Sequence, residues 1–269
     1  MRRHWALMQL ESKTLVIIGG TTGLGLSAAR AFVREGARVV VVGRNPDSCK
    51  AAESELGTGC RAMSGDASSP ETAPNAIELA IREFGGFDGL YHVSGGSGRR
   101  MGDGPLHEVT DAGIAATLEL NLTSLILSNR AAVQAFLKQG GGGSILNMGS
   151  VLGRDPSPRF FATHVYAATK AAAEGFTKSC AAYYAPKDIR FNLLAPALVE
   201  TPMAKRAAED ETILSFIKTK QPLDNGRIGK PEDLDAAAVF FMSAGSRFCT
   251  GQMLFVDGGW MVSEGQNPE

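Results

Sequence analysis

Short runs of apolar, largely β-branched residues alternate with longer alanine-rich stretches along most of the chain. Runs that are apolar at successive positions are typical of strands buried on both faces of a parallel sheet. The pattern predicts strands at residues 14–18, 38–42, 89–93, 144–148 and 189–194, with weaker strands at 60–63 and 253–256. It predicts helices at about 23–35, 46–56, 70–84, 111–139, 163–185 and 231–242. This alternation indicates an α/β fold with a doubly wound, mostly parallel seven-stranded sheet and helices on both faces.

The length of 269 residues fits one such sheet, and no linker-like stretch divides the chain. We therefore expect residues 1–269 to form a single Rossmann-type domain. A charged stretch at about residues 198–228 interrupts the alternation of strands and helices. We expect it to form a flexible helical flap over the substrate.

The composition narrows the classes of partner. The formal net charge is −1 and the Lys and Arg residues are scattered, so a nucleic-acid surface is not expected. The four cysteines include no CxxC pair and the four histidines no HxxxH spacing, so neither a disulfide frame nor a metal site is predicted. No stretch approaches the roughly 20 apolar residues of a membrane span. We expect a soluble, cytoplasmic protein without metal, membrane or nucleic-acid partners.

A glycine-rich turn follows the first predicted strand and opens an alanine-rich helix. Glycines in such a turn let the backbone approach a pyrophosphate, and the free N–H groups and dipole of the helix bind the phosphate. A tight structural turn is the alternative, but the position after the first strand favours a nucleotide loop. The predicted cofactor contacts in this loop are Gly19, Thr21, Thr22, Gly23, Leu24 and Gly25.

The end of the second predicted strand bears on the choice of cofactor. NAD sites place an acid about 20 residues past the loop, whereas an arginine there accommodates the 2′-phosphate of NADP. Here Gly43 and Arg44 end the strand, and no carboxylate precedes Asp47. NADP(H) is therefore favoured over NAD(H), with a solvated loop arginine as the alternative. Asp66 either accepts a hydrogen bond from the adenine amino group or caps the helix near Pro70.

The candidate acid/base is Tyr166, which precedes Lys170 by four residues in a predicted helix, so that both side chains share one face. Moving a tyrosine pKa from about 10 towards 7 requires roughly 4 kcal/mol. One ammonium about 4 Å away supplies about that much at an effective dielectric near 20. Ser150 follows the strand at 144–148, where open α/β sheets bind ligands. An ordinary strand-end serine is the alternative for this residue.

Five features, in order, carry a family resemblance: the glycine loop, Asn121, Ser150, the Tyr166/Lys170 pair and the stretch 192–196. Together they resemble the short-chain dehydrogenase/reductase family over nearly the whole chain. The resemblance implies a Rossmann fold and hydride transfer between a nicotinamide and a carbonyl or alcohol. It implies that Tyr166 exchanges the proton and that Ser150 orients the substrate oxygen. Lys170 would hold the nicotinamide ribose, and Asn121 would anchor a water that joins Lys170 to solvent.

The same resemblance implies further cofactor contacts and shows some departures. Besides Tyr166 and Lys170, the implied contacts are Ala67, Ser94, Gly95, Pro196, Val199 and Thr201. The usual threonine before the loop is Ile18, and His92 and Val93 replace two asparagines after the fourth strand. We interpret His92 as a packed or capping residue rather than a catalyst.

The substrate is less well determined by these residues. Its pocket is expected between 94–101, 151–165 and the flap, with apolar walls from Phe160, Phe161, Met203 and Ile213. Arginines at 99, 100, 154 and 159 either favour an anionic substrate or are solvated. A 3-oxoacyl thioester reductase is an alternative, although the arginines with which such enzymes dock their carrier correspond to Leu127 and Ala182 here.

Assembly and rival classes complete the expectations. The long helices at 111–139 and 163–185 are rich in small residues, and the resemblance implies that they form a dimer contact. It also implies that the apolar tail near Trp260 and Met261 completes a homotetramer. One alternative is a non-catalytic, NADP(H)-sensing regulatory protein, suggested by the altered segment 92–95. Another is a methyltransferase that uses the glycine loop for its own cofactor, but that leaves Ser150, Tyr166 and Lys170 without a role.

Overall fold

The computed structural model describes residues 8–265 and contains one seven-stranded sheet. All strand pairs are parallel, in the order β3-β2-β1-β4-β5-β6-β7. The strands are β1 Thr14–Ile18, β2 Arg38–Gly43, β3 Cys60–Ser64, β4 Gly89–His92, β5 Gly143–Met148, β6 Ile189–Pro196 and β7 Met253–Val256. The predicted α/β fold with a doubly wound, seven-stranded sheet is confirmed. Successive strands are added in one direction from β1 to β3 and in the other direction from β4 to β7, and such folds bind ligands at this switch between β1 and β4.

Helices cover both faces of the sheet. They are α1 Gly23–Arg34, α2 Pro46–Leu56, α3 Thr72–Phe84, α4 Asp111–Leu118, α5 Ser124–Gln139, α6 His164–Tyr184, α7 Lys205–Ala208, α8 Glu211–Lys220 and α9 Asp235–Met242. Alternate residues of β1 point to opposite faces, as a strand requires. Leu15 and Ile17 pack in a core with residues of α1 and α9, whereas Val16 and Ile18 pack in a second core with residues of α3, α5 and α6.

The predicted helix at 111–139 is divided in the structure. A π-helical turn, Glu119–Thr123, separates α4 from α5. The Asn121 amide donates to the carbonyl oxygen of Thr117 at 2.9 Å, and the Ser124 hydroxyl donates to that of Leu120. Side chains that bond to carbonyls of the preceding turn compete with backbone N–H groups, and wider turns of this kind are frequent at functional sites.

Two predicted helix starts also shift. The helix expected from Pro70 begins at Thr72, and the one expected from Pro231 begins with the 3₁₀ turn Pro231–Leu234 before α9. Pro231 still occupies the first position of that turn, where a missing N–H costs least.

The flap predicted at 198–228 is helical and anchored at several points. Val199 forms a parallel bridge with Gly229, and Asp210 caps α8 by accepting from the N–H groups of Thr212 and Ile213. Ile213 and Ile217 are buried in a small core with Trp260. The flexibility of this segment and the single-domain organisation stay predictions.

Two searches of residues 8–265 bear on partner classes. No helix in this range is long and apolar enough to cross a membrane. Within the same range, no three His, Cys, Asp or Glu side chains are grouped so that they could hold a metal ion.

Candidate active site

A cavity of about 560 Å³ lies at the carboxyl edge of the sheet. It runs from the turn after β2, over the glycine loop, to the segments after β4, β5 and β6. Of the predicted site residues, those that line it are Gly19, Thr21, Thr22, Gly23, Leu24, Arg44, Ala67, Ser94, Gly95, Ser150, Tyr166, Lys170, Pro196, Val199 and Thr201. Gly25, Asp66 and Asn121 do not line it.

In the glycine loop, the backbone at the start of α1 lies in close contact with the backbone of the turn after β1. Gly19 has a φ of +87°, which favours glycine, and a Cβ at Gly25 would overlap the Gly19 carbonyl oxygen. Gly25 therefore lets α1 pack on the turn instead of facing the cavity. Thr22 at the start of α1 makes no side-chain capping bond, so the first N–H groups of the helix remain available to an anion.

The other end of this region is shaped for a group near Arg44. A Cβ at Gly43 would overlap the Thr21 hydroxyl, which itself accepts a hydrogen bond from Ser48 at 3.1 Å. Arg44 is exposed and has no salt bridge to any residue of 8–265. An unpaired guanidinium at this position suits a phosphate.

Asp66 is held in a local turn. Its Oδ1 accepts from the backbone N–H of Ser68 at 2.8 Å and from the Ser68 hydroxyl at 2.7 Å. These bonds, more than the charge of Arg44, hold the pKa of the Asp66 carboxyl below its usual value. The predicted cap of the helix near Pro70 is wrong, because α3 begins at Thr72 after Glu71 with no side-chain capping bond, and Ser68 occupies the Asp66 carboxylate instead. Ala67, and not Asp66, lines the cavity, so the adenine contact of Asp66 stays a prediction.

Tyr166, Lys170 and Ser150 meet at the deep end of the cavity. Tyr166 lies in the first turn of α6, and the Lys170 Nζ is 5.5 Å from the centre of its ring. That Nζ donates to the Met148 carbonyl oxygen at 2.9 Å, at the end of β5. Ser150 follows β5 in extended backbone, its hydroxyl accepts from the Leu152 N–H at 3.2 Å, and it is near enough to Tyr166 to lower the pKa of the phenol. One strand end and one helix start thus fix all three groups.

The pKa of Tyr166 differs from the sequence-based expectation. Burial raises the pKa of its phenol, and the hydrogen bond with Ser150 lowers it only in part. Burial also lowers the pKa of the Lys170 ammonium to about 8. The predicted lowering of the tyrosine pKa by Lys170 is wrong for the protein alone, because burial disfavours the charged form of both groups.

Asn121 holds the segment after β4. Its Oδ1 accepts from the Gly96 N–H at 3.0 Å and its Nδ2 donates to the Gly96 carbonyl oxygen at 2.9 Å. A Cβ at Gly95 would lie 2.8 Å from the Asn121 Oδ1 and 3.5 Å from the Lys170 Nζ. Asn121 therefore lies behind the cavity wall and next to Lys170. Its predicted water-anchoring role stays a prediction.

His92 is buried behind the site. Its Nδ1 is 2.8 Å from the Ser128 hydroxyl, and its Nε2 is 3.4 Å from that of Ser124. Burial, with the nearby charge of Lys170, lowers the pKa of His92 to about 3. The ring is therefore neutral and packed, which matches the interpretation from the sequence.

Asp103 is a residue of the site that sequence reasoning missed. It is buried, and its two carboxylate oxygens accept from the N–H groups of Val165 at 3.1 Å and Tyr166 at 2.8 Å. It thereby caps α6 at the catalytic end, while Thr163, the residue at the usual capping position, makes no side-chain capping bond. From the sequence, Thr163 is the expected cap because it directly precedes the helix, and no neighbouring residue indicates Asp103.

The substrate end of the cavity differs in part from the expected walls. Phe161 and Met203 line it, but Phe160 and Ile213 do not, and Leu152 and Trp260 contribute instead. Of the predicted arginines only Arg99 reaches the cavity. Arg154 pairs with Glu174 at 2.7 Å, and the guanidinium of Arg159 lies over the ring of Phe160. Arg206, on α7, lines the cavity as well.

Comparison with known proteins decides the family. The sequence model of a family described as enoyl-(acyl carrier protein) reductase matches residues 19–261. The chain belongs to the short-chain dehydrogenase/reductase family. It is 34% identical to oxidoreductase asL5 of Sarocladium schorii, over 94% of this chain and 98% of that one. It is 31% identical to 2,5-dichloro-2,5-cyclohexadiene-1,4-diol dehydrogenase LinX of Sphingobium indicum, over the same shares.

A solved structure agrees with this membership. The structure of a short-chain type dehydrogenase/reductase from Mycobacterium ulcerans superposes with a TM-score of 0.86 at 28% identity, over 97% of this chain and 93% of that one. The protein is thus an oxidoreductase of the short-chain dehydrogenase/reductase family, which implies a nicotinamide cofactor, NAD or NADP. The residues present fit such a cofactor, because Gly19 and Gly23 line the cavity at the start of α1, where Thr22 makes no side-chain capping bond.

Proposed function

We propose that this family member is an NADP(H)-preferring enzyme that transfers hydride between the nicotinamide and a carbonyl or secondary alcohol. Tyr166 is its general acid/base, and Ser150, Lys170 and Asn121 complete the catalytic group. One observation carries the proposal. The cluster of Tyr166, Ser150 and Lys170 lies at one end of a single cavity whose other end holds the glycine loop and Arg44. LinX, a relative named for its action on a diol, supports the reaction class.

The roles follow from the atoms at the deep end. When bound, the nicotinamide supplies or accepts the hydride. The Ser150 hydroxyl, which lines the same cavity as the Tyr166 phenol, orients the substrate oxygen between the two side chains. The Tyr166 phenol donates its proton to that oxygen during reduction and receives it during oxidation. Because burial raises its pKa, the phenol keeps its proton at neutral pH until it is used.

Lys170 serves the binding of the cofactor and the return of the proton. The Met148 carbonyl fixes its ammonium beside the Tyr166 ring, where it can donate to the ribose hydroxyls. With a pKa of about 8, the ammonium can lose a proton near neutral pH and so pass it towards the tyrosine. Asn121 supports this arrangement by holding Gly96 behind the cavity wall.

The experiment that tests the proposal separates binding from turnover. NADPH oxidation is followed with a set of ketones, quinones and β-ketoacyl thioesters, for the wild type and for Tyr166→Phe. General acid catalysis contributes about 10²–10⁴-fold, so we expect the variant to lose turnover by this factor. Its dissociation constant for NADPH, measured by fluorescence titration, should stay within about threefold. A protein that binds NADPH but turns over nothing in either form would instead be a non-catalytic NADP(H) sensor.

We also propose a homotetramer. Leu118 on α4 and Ile126 on α5 are apolar and 38% exposed, and Tyr183 on α6 is 76% exposed. Such side chains on the long helices support an interface there. Light scattering at micromolar concentration, which gives the molar mass in solution, tests this proposal. A monomeric mass would exclude it.

A further inference from the structure

Two arginines reach the substrate end of the cavity from different segments. Arg99 lies in the short turn Arg99–Met101 after β4, and Arg206 lies on α7 of the flap. Both line the same cavity as Ser150 and Tyr166. We call Arg99 and Arg206 the arginine pair.

The backbone that presents Arg99 is held firmly. Gly98 and Gly102 flank its turn with φ of +71° and +101°. A Cβ at Gly98 would overlap the Thr117 hydroxyl, and one at Gly102 would overlap that of Thr110. The next residue, Asp103, is bonded to the start of α6. Arg99 therefore projects from a turn that is packed on α4 and tied to the catalytic helix.

Arg206 also lines the cavity and, like Arg99, is exposed. One nitrogen of its guanidinium donates to the Phe160 carbonyl oxygen at a long 3.4 Å. A guanidinium has five N–H donors in a planar fork, so most of its donors stay available. Phe161, Met203 and Trp260 contribute apolar surface to the same cavity.

The arginine pair has no counter-ion. Within residues 8–265 neither side chain forms a salt bridge, whereas Arg154 pairs with Glu174 and Arg227 with Asp233. Burial lowers the pKa of the Arg99 guanidinium, and the charge of Arg206 lowers it further. Asp103 opposes this effect, but both of its oxygens are already bonded to backbone N–H groups.

Two like charges that converge without an acid favour an anion between them. We propose, building on the function proposed above, that the arginine pair binds a carboxylate of the substrate. The enzyme then acts on ketones, or the corresponding alcohols, whose apolar body carries a carboxylate away from the reacting carbon. Arginine suits this group, because its planar fork matches a carboxylate in a bidentate manner.

The test uses ketones that differ only in the anion. The pairs are 4-oxopentanoate, 6-oxoheptanoate and 4-oxo-4-phenylbutanoate, each with its methyl ester, and the readout is kcat/KM for NADPH oxidation. A charge-assisted bidentate contact predicts that the preferred acid exceeds its ester by about tenfold or more. Arg99→Gln and Arg206→Gln should each lower kcat/KM for the acid by about tenfold, mainly through KM, with less than about a threefold change for the ester.

Arg100→Gln is the matched control, because Arg100 neighbours Arg99 and is exposed but does not line the cavity. Arg100→Gln should leave kcat/KM unchanged for each acid and for its methyl ester. Arg99→Lys should restore part of the preference by keeping the charge. An acid-to-ester ratio near one for the wild type, or a ratio unaltered by the double substitution Arg99→Gln/Arg206→Gln, overturns the proposal.

Direct binding separates this proposal from the proposed function. The same acids are titrated calorimetrically into wild type and double variant, with and without NADPH. If NADPH does not bind, or if it binds and none of the ketones is turned over, the proposed function fails. The arginine pair is then still judged by calorimetry, in which carboxylate binding lost in the double variant supports it. Equal binding by both proteins, or none by either, overturns it.

Discussion

The cofactor side and the substrate side of the cavity are built in different ways. The cofactor side is made of the glycine loop and the turns after β2 and β4, where Gly19 and Gly25 are in close contact with backbone atoms and have no room for a side chain. The substrate side consists of the turn at 99–101, residues 150–163 and the flap, and it presents side chains such as Arg99, Met203 and Arg206. On the cofactor side, steric overlap restricts which residues are tolerated. On the substrate side, the charge and the apolar surface of the side chains determine which ligand binds. Substitutions on the two sides should therefore fail differently.

The largest effect is expected at the contact between the glycine loop and α1. Gly25→Val places a Cβ onto the Gly19 carbonyl oxygen, so α1 cannot pack on the turn. Effects of this kind exceed about 4 kcal/mol in unfolding free energy. We expect NADPH binding to be lost as well, which fluorescence titration of the remaining folded protein measures.

Gly175→Ala is the matched control for that substitution. Gly175 lies inside α6, and a Cβ there meets no atom within 4 Å. Replacing a mid-helix glycine by alanine gains roughly 0.5–1 kcal/mol, so the melting temperature should rise slightly. If Gly25→Val behaved like this control, the cofactor side would not be restricted by backbone contact.

The second effect concerns the link between the two sides. Asp103→Ala removes the cap of α6 at Tyr166 and releases the turn that carries Arg99. Unsatisfied N–H groups cost about 1–3 kcal/mol, and a misplaced acid can cost up to about 10²-fold in rate. We expect unfolding free energy to fall by that amount and kcat to fall at least about tenfold.

A second capping residue distinguishes positioning from stability alone. Asp210→Ala removes a cap of similar chemistry from α8, on the flap. It should lower the melting temperature as Asp103→Ala does, while kcat stays within about twofold. Asp103→Asn, which retains one acceptor, should recover part of kcat. Parallel losses of kcat in both alanine variants would show that Asp103 acts through stability only.

The sequence predicted most of the cofactor side, but not the contact of Asp103 with α6 that joins the two sides. The strands, the glycine loop and the spacing of Tyr166 and Lys170 are local patterns, readable from neighbouring residues. Asp103 lies 62 residues before the nearer of its partners, and Arg206 meets Arg99 only through the fold. The pKa of Tyr166 was mispredicted for the same reason, since spacing reveals a neighbouring charge but not the burial that outweighs it. At Asp66 a local contact was missed instead, because Ser68 bonds to the carboxylate for which an adenine contact was one of the two expectations.

The third effect lies beneath the cofactor side and depends on pH. Asp235, on α9, accepts from the Ser27 hydroxyl of α1 at 3.1 Å, and burial raises the pKa of this carboxyl from 3.8 to about 6. The folded protein therefore holds this proton more tightly than the unfolded chain. The resulting stability is fully present below pH 3.8 and is lost as pH rises through 6.

Asp235→Asn should remove that pH dependence. Between pH 4 and pH 8, the unfolding free energy of the variant should change by on the order of 1–2 kcal/mol less than that of the wild type. Urea unfolding at several pH values measures this difference. NADPH turnover at pH 7 should be little affected, because Asp235 does not line the cavity. An identical pH dependence in the two proteins would assign it to other groups.

The smallest effect is expected at the outer end of the cofactor side, where one side chain rather than backbone sets the preference. Arg44→Gln keeps the loop but removes a guanidinium that lines the cavity and that we propose to contact the 2′-phosphate. A charge-assisted contact to phosphate predicts about a tenfold weaker NADPH affinity, near 1.4 kcal/mol, and little change for NADH. Arg247→Gln removes the same charge from an exposed position outside the cavity and should change neither affinity. Fluorescence titration with both cofactors decides the matter, and tighter NADH binding by the wild type would overturn the assignment of Arg44. In that case the choice between the two cofactors would depend on contacts other than those of Arg44 and the glycine loop.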